Sequence, residues 1–484
     1  MRTFDLATLT DRAVAPMDND GTIVSADGAR ALVRRDDGLS IVPTEPGGGP
    51  PASLNLNAIR IGIEQPAEWR EMVDQAWRLD RDLFWNRRMN GVDWHRARLA
   101  YTRLARLVGS QEDAIYLIGE LQGELANSHM FIAPGADVRA ADPHPAALLG
   151  VDFGIDGASG RYRMTHVYRG DQTRTRFRAP LGEPALDIRD GDLLLAIDGR
   201  QLRAPADPYS LLIDWSGPVI LTVARTSDGP GRDIAAEPVA SEQQLRQLDW
   251  VEANRARVDR LSGGRVGYIF LSDFNDMGSQ DFIRQFYPQT DKQGLVIDVR
   301  WNGGGFTSQW VLGILRRTVD GGFVNRQGAV TTLPGAVAPR ALAIVTNIFS
   351  ASDGDQFPFF VKQGKLGTVI GERTWGGVRG IKGPWPLIDG TRITIPKDSL
   401  FTTGGAWTIE NEGTEPDIVV ENMPAALAAG VDAQLAAAVA QVLDTIGRNP
   451  PAGLHPPAPE PAYPAGGIVP PASFPTPLST KRGR

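Results

Sequence analysis

Cysteine is absent from the chain and histidine is scarce: His95, His129, His144, His166 and His455 are the five among 484 residues. Without thiols there are no disulfides, no thiolate nucleophile and no cysteine-ligated zinc. The compartment is not settled by this, because exported proteins also lack cysteine. No HExxH or comparable ligand spacing occurs, which argues against a metal enzyme. No apolar run is long enough to cross a bilayer. The opening Met1-Arg2-Thr3-Phe4-Asp5-Leu6 has no continuous hydrophobic segment of the kind found in secretory signals. A net charge of −7, with no basic stripe carrying interleaved aromatics, gives no support for nucleic-acid binding. What is present, 42% hydrophobic and 22% charged residues, describes an ordinary soluble globular protein.

Residues 1–59 read as β-structure and loop. Turn signals at Ser25-Ala26-Asp27-Gly28 and Arg35-Asp36-Asp37-Gly38 separate two short strands, Ala31 to Arg34 and Leu39 to Val42. So small a hairpin is marginal alone, so it is expected to pack on something else or to be the remnant of a larger β-domain. Residues 60–135 read as helical. Trp69, Val73, Trp77 and Phe84 recur at helical spacing behind Pro66, and a second helix covers roughly Trp94 to Val108. Ser110-x-x-Asp113 opens a third, ending near Asn127. The tryptophans are expected in the core. Ser128 and His129 follow at that helix end; the plainer reading of His129 alone is a surface or capping histidine.

Residues 136–235 look β-rich. Leu148 to Phe153 reads as a loop entering a strand, and Ala185 to Arg200 gives a polar turn, an apolar strand and an Asp198-Gly199 turn. This pattern resembles a PDZ domain, a fold that commonly takes chain ends by adding a strand to a sheet edge. Residues 236–448 alternate strands and helices, which suggests an α/β layer fold. Residues 449–484 are Pro-, Ala- and Gly-rich and are expected to be disordered.

Two strand-to-helix junctions in the α/β region carry chemistry. The apolar run Gly294 to Val299 leads into Trp301-Asn302-Gly303-Gly304-Gly305, whose glycines leave backbone amides unobstructed, as an oxyanion hole requires. A phosphate loop is the rival, but its Lys-Ser/Thr ending is absent. Ala341 to Val345 leads into Ser352-Asp353-Gly354-Asp355, which places Ser352 where a strand becomes a helix and the hydroxyl is exposed. Ser352-x-x-Asp355 is equally a capping-box signature that needs no catalysis.

The order of these parts resembles the tricorn-type serine peptidases, in the C-terminal-processing (tail-specific) class, family S41. The parts are a helical segment ending in Ser-His, a PDZ-like domain, Asn-Gly-Gly-Gly, Ser-Asp-Gly-Asp and, later, Glu410-Asn411-Glu412-Gly413. The resemblance covers roughly residues 60–448. It implies a multidomain α/β protein with a helical subdomain, a PDZ-like β-domain and an α/β core of the ClpP/crotonase kind. It implies Ser352 as nucleophile, His129 as base, Ser128 and Glu410 completing a tetrad, and the amides of Gly305 and Asp353 as the oxyanion hole. No metal or organic cofactor is implied. The substrate would be an unfolded polypeptide or oligopeptide, without nucleic acid or membrane, in the cytoplasm, or in the periplasm if a portion with a signal precedes this chain. Family members range from monomers to hexamers, which leaves homo-oligomer formation open.

Full-length tricorn carries two β-propellers ahead of this half, of which residues 1–59 would hold at most the last strands. Its pocket for the substrate side chain has an acidic residue. At the matching spacing stand Phe323, with Asp320 nearby, so a neutral or apolar preference is expected. The branch with a Ser/Lys dyad is a close rival, but Lys362 and Lys365 lie too early for it. Two readings of other classes remain: a catalytically silent peptide-binding scaffold, and a crotonase-like acyl-transfer enzyme.

Overall fold

The computed structural model describes residues 2–13, 22–35, 38–45, 49–60, 62–135, 144–451 and 453–457. Most of the tail expected to be disordered lies outside them. The chain divides into two units. The first, Met1–Asp74 with Ala100–Leu117, holds a hairpin of Arg2–Asp5 with Thr10–Ala13. It also holds an antiparallel sheet ordered Thr22–Val24, Arg30–Arg35, Gly38–Pro43, Ala52–Leu54. The sequence pattern reveals only the two inner strands of that sheet. Each outer strand has three residues, all exposed, and so shows no alternation of apolar and polar positions.

The second unit is Gln75–Leu99 with Ile118–Arg484. Three helices, α1 (Gln65–Leu83), α2 (Trp94–Leu104) and α3 (Gln111–Gly123), form the helical region, and each of them has residues in both units. Trp77 and Trp94 stack at 6.5 Å, and each indole N–H donates to the other's backbone carbonyl, at 2.7 and 3.1 Å. With both polar tips satisfied, the rings are buried as core. Helix α3 stops short of Asn127, and Ala126, at φ +44°, turns the chain toward Ser128. A two-residue strand follows, β1 (Ile132–Ala133).

The PDZ-like region builds an antiparallel sheet from β2 (Val151–Ile155), β3 (Tyr162–Val167), β4 (Leu193–Ile197), β5 (Val219–Ala224) and β6 (Arg232–Ala236). Their order is β6-β5-β4-β3-β2, with Arg200–Gln201 also pairing β4, so β2 is an edge. Leu149, Met164, Leu194 and Leu221 lie in its core.

Helix α4 (Gln243–Ser262) leads into the catalytic layer. Its parallel sheet runs β7 (Val266–Phe270), β8 (Gly294–Asp298), β9 (Ala341–Thr346), β10 (Thr368–Gly371), and a short last strand introduced below. Strands β8 and β9 are buried throughout, which explains their unbroken apolar sequence. On one face, α5 (Asp276–Phe286), α6 (Ser308–Leu315) and α7 (Asp353–Gln363) pack through Phe282, Val311 and Phe357. On the other, α4 and α8 (Ala433–Arg448) pack through Val258 and Val439. A separate three-stranded sheet has the order β11 (Gly380–Pro386), β12 (Arg392–Asp398), β1. The last parallel strand is β13 (Ile418–Val419).

A buried ion cluster fastens the end of β8. Arg300, 1% exposed, pairs with Asp298 at 2.6 Å and with Asp432, the N-cap of α8, at 2.9 Å. The Tyr268 hydroxyl donates to Asp298 at 2.9 Å. Both carboxylates and the guanidinium are thus satisfied without water.

Candidate active site

The loops leaving the C-terminal ends of β8, β9 and β10 converge, as binding loops do in parallel sheets. Asn347 Oδ1, after β9, accepts the Trp301 amide at 3.0 Å, and Ser350 Oγ donates to the Val299 carbonyl at 2.8 Å. The two strand-to-helix turns are therefore one fastened assembly. Ser352 sits in it at φ 58°, ψ −116°. A non-glycine residue there stores on the order of 1–3 kcal/mol of strain, which is typical of a nucleophile held on a sharp turn. Its hydroxyl makes no capping bond to α7. The Asp355 carboxylate instead receives the amides of Gly376 at 2.7 Å and Gly377 at 3.2 Å. Burial pushes its pKa up to about 6, against the lowering effect of those donors and of Thr374.

The glycine loop lies against this serine. A Cβ on Gly304 would come within 2.5 Å of Ser352 Cβ, so only glycine allows the approach. Asn302 shapes the loop, accepting the Gly304 amide at 2.9 Å and donating to the Leu271 carbonyl at 2.9 Å. The amides of Gly305 and Asp353 donate to no acceptor among the described residues, and both residues line the cleft with Ser352. The Asp353 carboxylate accepts the Ser308 amide at the start of α6, at 3.1 Å, so one residue bridges both helix starts.

Across the cleft runs a polar relay. Ser128 Oγ lies 2.8 Å from His129 Nδ1 and donates to Glu410 Oε2 at 3.1 Å. Glu410 also receives the amides of Ser128 (2.7 Å), Val378 (2.8 Å) and Arg379 (3.2 Å). With the hydroxyl proton directed at Glu410, Nδ1 of His129 is the donor to Ser128, and Nε2 keeps its lone pair. The imidazole is 6% exposed, edge-on to Phe131 and Trp375 at 5.8 and 5.5 Å. Burial lowers its pKa, with Glu410 pulling the other way, so the ring is neutral near pH 7. Thr394 Oγ1, on β12, holds the His129 carbonyl at 2.7 Å.

His129 and Ser352 line one cleft of about 860 Å³, and no hydrogen bond joins their side chains. The structure therefore gathers Ser128, His129, Glu410, Gly305, Ser352 and Asp353. It does not bring Phe323 and Asp320 to the cleft. Phe323, 67% exposed, lies on the hairpin Gly321–Val324/Val330–Leu333, with Asp320 just before it. Spacing along the chain placed them near the glycine loop, but α6 and the following turn carry the chain away to that hairpin. Apolar cleft walls come instead from Phe131, Phe306, Ile348, Phe349 and Trp375. Lys362 is held by Asp417 at 3.0 Å at the end of α7, and Lys382, which does line the cleft, faces Asp398 at 3.7 Å. The sequence reads Asp355 as the capping-box partner of Ser352 and Asn302 as part of the glycine string, and gives Trp375 no part; in the structure Asp355 accepts the Gly376 and Gly377 amides instead of serving that cap. The glycines after Trp375 and after Asn302 were the available signal.

Family models match three stretches: peptidase family S41 over residues 265–420, the tricorn protease PDZ domain over 147–241, and the tricorn protease C1 domain over 65–123. Tricorn protease homolog 1 of Streptomyces coelicolor is 36% identical over 444 residues, 90% of this chain and 41% of that protein. The tricorn protease of Thermoplasma acidophilum is 32% identical over 425 residues, 87% of this chain and 39% of that one. The crystal structure of the tricorn protease superposes with a TM-score of 0.83 at 30% identity, covering 93% of this chain and 43% of its own. The chain thus spans less than half the length of these relatives.

Proposed function

The chain belongs to peptidase family S41, and from that premise we propose that it is a tricorn-type serine endopeptidase that hydrolyses unfolded polypeptides or oligopeptides through an acyl-enzyme. The observation that carries this reading is the relay from Glu410 through Ser128 to His129, ending in the cleft that Ser352 lines. A serine hydroxyl is a poor nucleophile until a base takes its proton. In this reading His129 Nε2 accepts the proton of Ser352 as the hydroxyl attacks the scissile carbonyl. The Ser128 oxygen, polarised by Glu410, stabilises the imidazolium that results. The amides of Gly305 and Asp353 receive the tetrahedral oxyanion. His129 then protonates the leaving amine, and water repeats the sequence to release the acid.

The test is hydrolysis of a fluorescent casein or peptide pool by the wild type beside Ser352→Ala and His129→Ala. Both variants are expected to lose at least about 10³-fold in turnover. A Ser352→Ala variant that cuts as the wild type does would overturn the assignment of the nucleophile. Covalent labelling of Ser352 by a serine-directed phosphonate separates the peptidase from a silent peptide-binding scaffold.

A further inference from the structure

The loop Leu148–Gly150 leads into β2, the edge strand of the PDZ-like sheet. In domains of this kind such a loop offers backbone amides to a peptide's terminal carboxylate while the peptide pairs with the edge strand. Here two of the loop's three amides, those of Leu148 and Gly150, are already engaged. The Gly150 amide donates to Glu242 Oε1 at 2.6 Å. Leu148 exchanges both backbone bonds with Val239, at 2.7 and 2.9 Å. The Val151 carbonyl, at the start of β2, accepts the Tyr209 hydroxyl at 3.2 Å.

Glu242 is not a surface residue that happens to reach the loop. It is 4% exposed, and its second oxygen accepts Arg246 Nε at 3.0 Å and Nη2 at 2.6 Å. Arg246 also pairs with Asp152 on β2, at 2.8 Å. The carboxylate is thus sandwiched between a loop amide and a guanidinium, and such charge-assisted bonds are the strong ones. Glu242 immediately precedes α4, whose Leu245 packs with Tyr168, Phe177 and Ala179, while Val251 and Val258 pack in the core beneath β7.

We propose that Leu148–Gly150 is a carboxylate-binding site whose occupant is the chain's own Glu242, so that the PDZ-like domain is latched to α4 and closed to the ends of other chains. Substrates are then not sorted by a free C-terminal carboxylate through this domain. The proposal does not depend on the peptidase reading.

The test compares one fluorescent pentapeptide, ending in an apolar residue, as free acid and as amide. Binding is read by anisotropy to the full chain carrying Ser352→Ala, so that no peptide is consumed. With Glu242 intact, the two forms are expected to bind within about twofold of each other. Glu242→Ala frees the loop amide and the Nε and Nη2 of Arg246, whose Nη1 stays with Asp152, and is expected to favour the free acid at least tenfold, with acetate competing. Glu242→Asp withdraws the carboxylate by one methylene but keeps a charge for Arg246; it serves as the second variant and is expected to show the same preference, weaker. A tenfold preference for the free acid with Glu242 intact, or no preference in either variant, overturns the proposal.

Discussion

Glu410 has four donors directed at one carboxylate: two from Ser128 and the amides of Val378 and Arg379. Exchanging it for glutamine keeps the shape but turns an N–H₂ toward groups that themselves donate. Glu410→Gln is expected to lower kcat roughly 10²–10⁴-fold with little change in KM, the scale seen when a base loses its orienting acid. It also removes the influence that raises the His129 pKa, leaving burial unopposed. The acid limb of the pH–rate profile, which requires neutral His129, should therefore move to lower pH, and a kcat/KM titration of the residual activity checks it. A second residue-scale prediction concerns Asp80 on α1. It is fully buried, bonded to Gln122 Nε2 at 3.1 Å, with Oδ2 and Gln122 Oε1 unpartnered among the described residues. Burial pushes its pKa up to about 8, against the small lowering effect of Gln122. The folded state then holds a proton that the unfolded state releases above about pH 4, so stability falls as pH rises from about 4 to about 8. Asp80→Asn supplies the missing donor to Gln122 and abolishes that slope. The urea midpoint should fall from pH 5 to pH 8 by more in the wild type than in the variant, the excess being the contribution of Asp80. At this scale the sequence was most informative for the side chains proposed to do the chemistry. Ser128, His129, Ser352 and Glu410 stood in recognisable strings. Asp355 and Asn302 stood in the same strings, but their partners were not legible, because the backbone amides of Gly376 and Gly377 and the Leu271 carbonyl are brought to them only by folding.

Among elements, the segment from β10 to β11 is held by two carboxylates, Asp355 at Gly376–Gly377 and Glu410 at Val378–Arg379. Asp355 holds the amides of Gly376 and Gly377, and the residues between β10 and β11 carry Trp375 against His129 and Val378 against Glu410. Asp355→Ala leaves two buried donors unsatisfied, at about 1–3 kcal/mol each. It should lower Tm and reduce kcat by at least about tenfold, as the histidine loses its aromatic neighbour; thermal melts and turnover together check this. Elements with a strong apolar signature were legible. β8 and β9 are buried on both faces and read as unbroken runs, and α8 carries a start signal in its sequence, the Asp432 cap, which accepts the Leu435 amide at 3.0 Å. Short elements were not. Strand β1 has two residues, and its place beside β12 is fixed by pairing with residues some 260 positions away, as in the Phe131 amide bond to Thr394 Oγ1 at 2.8 Å.

For the molecule as a whole, the Asp298–Arg300–Asp432 cluster ties the strand that feeds the glycine loop to the last helix. Arg300→Met would leave two buried carboxylates without a counter-charge, and should cost about 3–5 kcal/mol of unfolding free energy in urea titration. The same distances in sequence bear on how the protein comes into being. Ser128 and the Glu410 that accepts its amide are 282 residues apart, with the whole PDZ-like domain and Ser352 between them. On a ribosome, His129 would emerge long before either partner. Under the proposed peptidase function, a chain still being made therefore holds an incomplete site and is held back from cutting itself or its neighbours on a polysome. Its activity would switch on only after Glu410 has left the exit tunnel and the last parallel strand has docked.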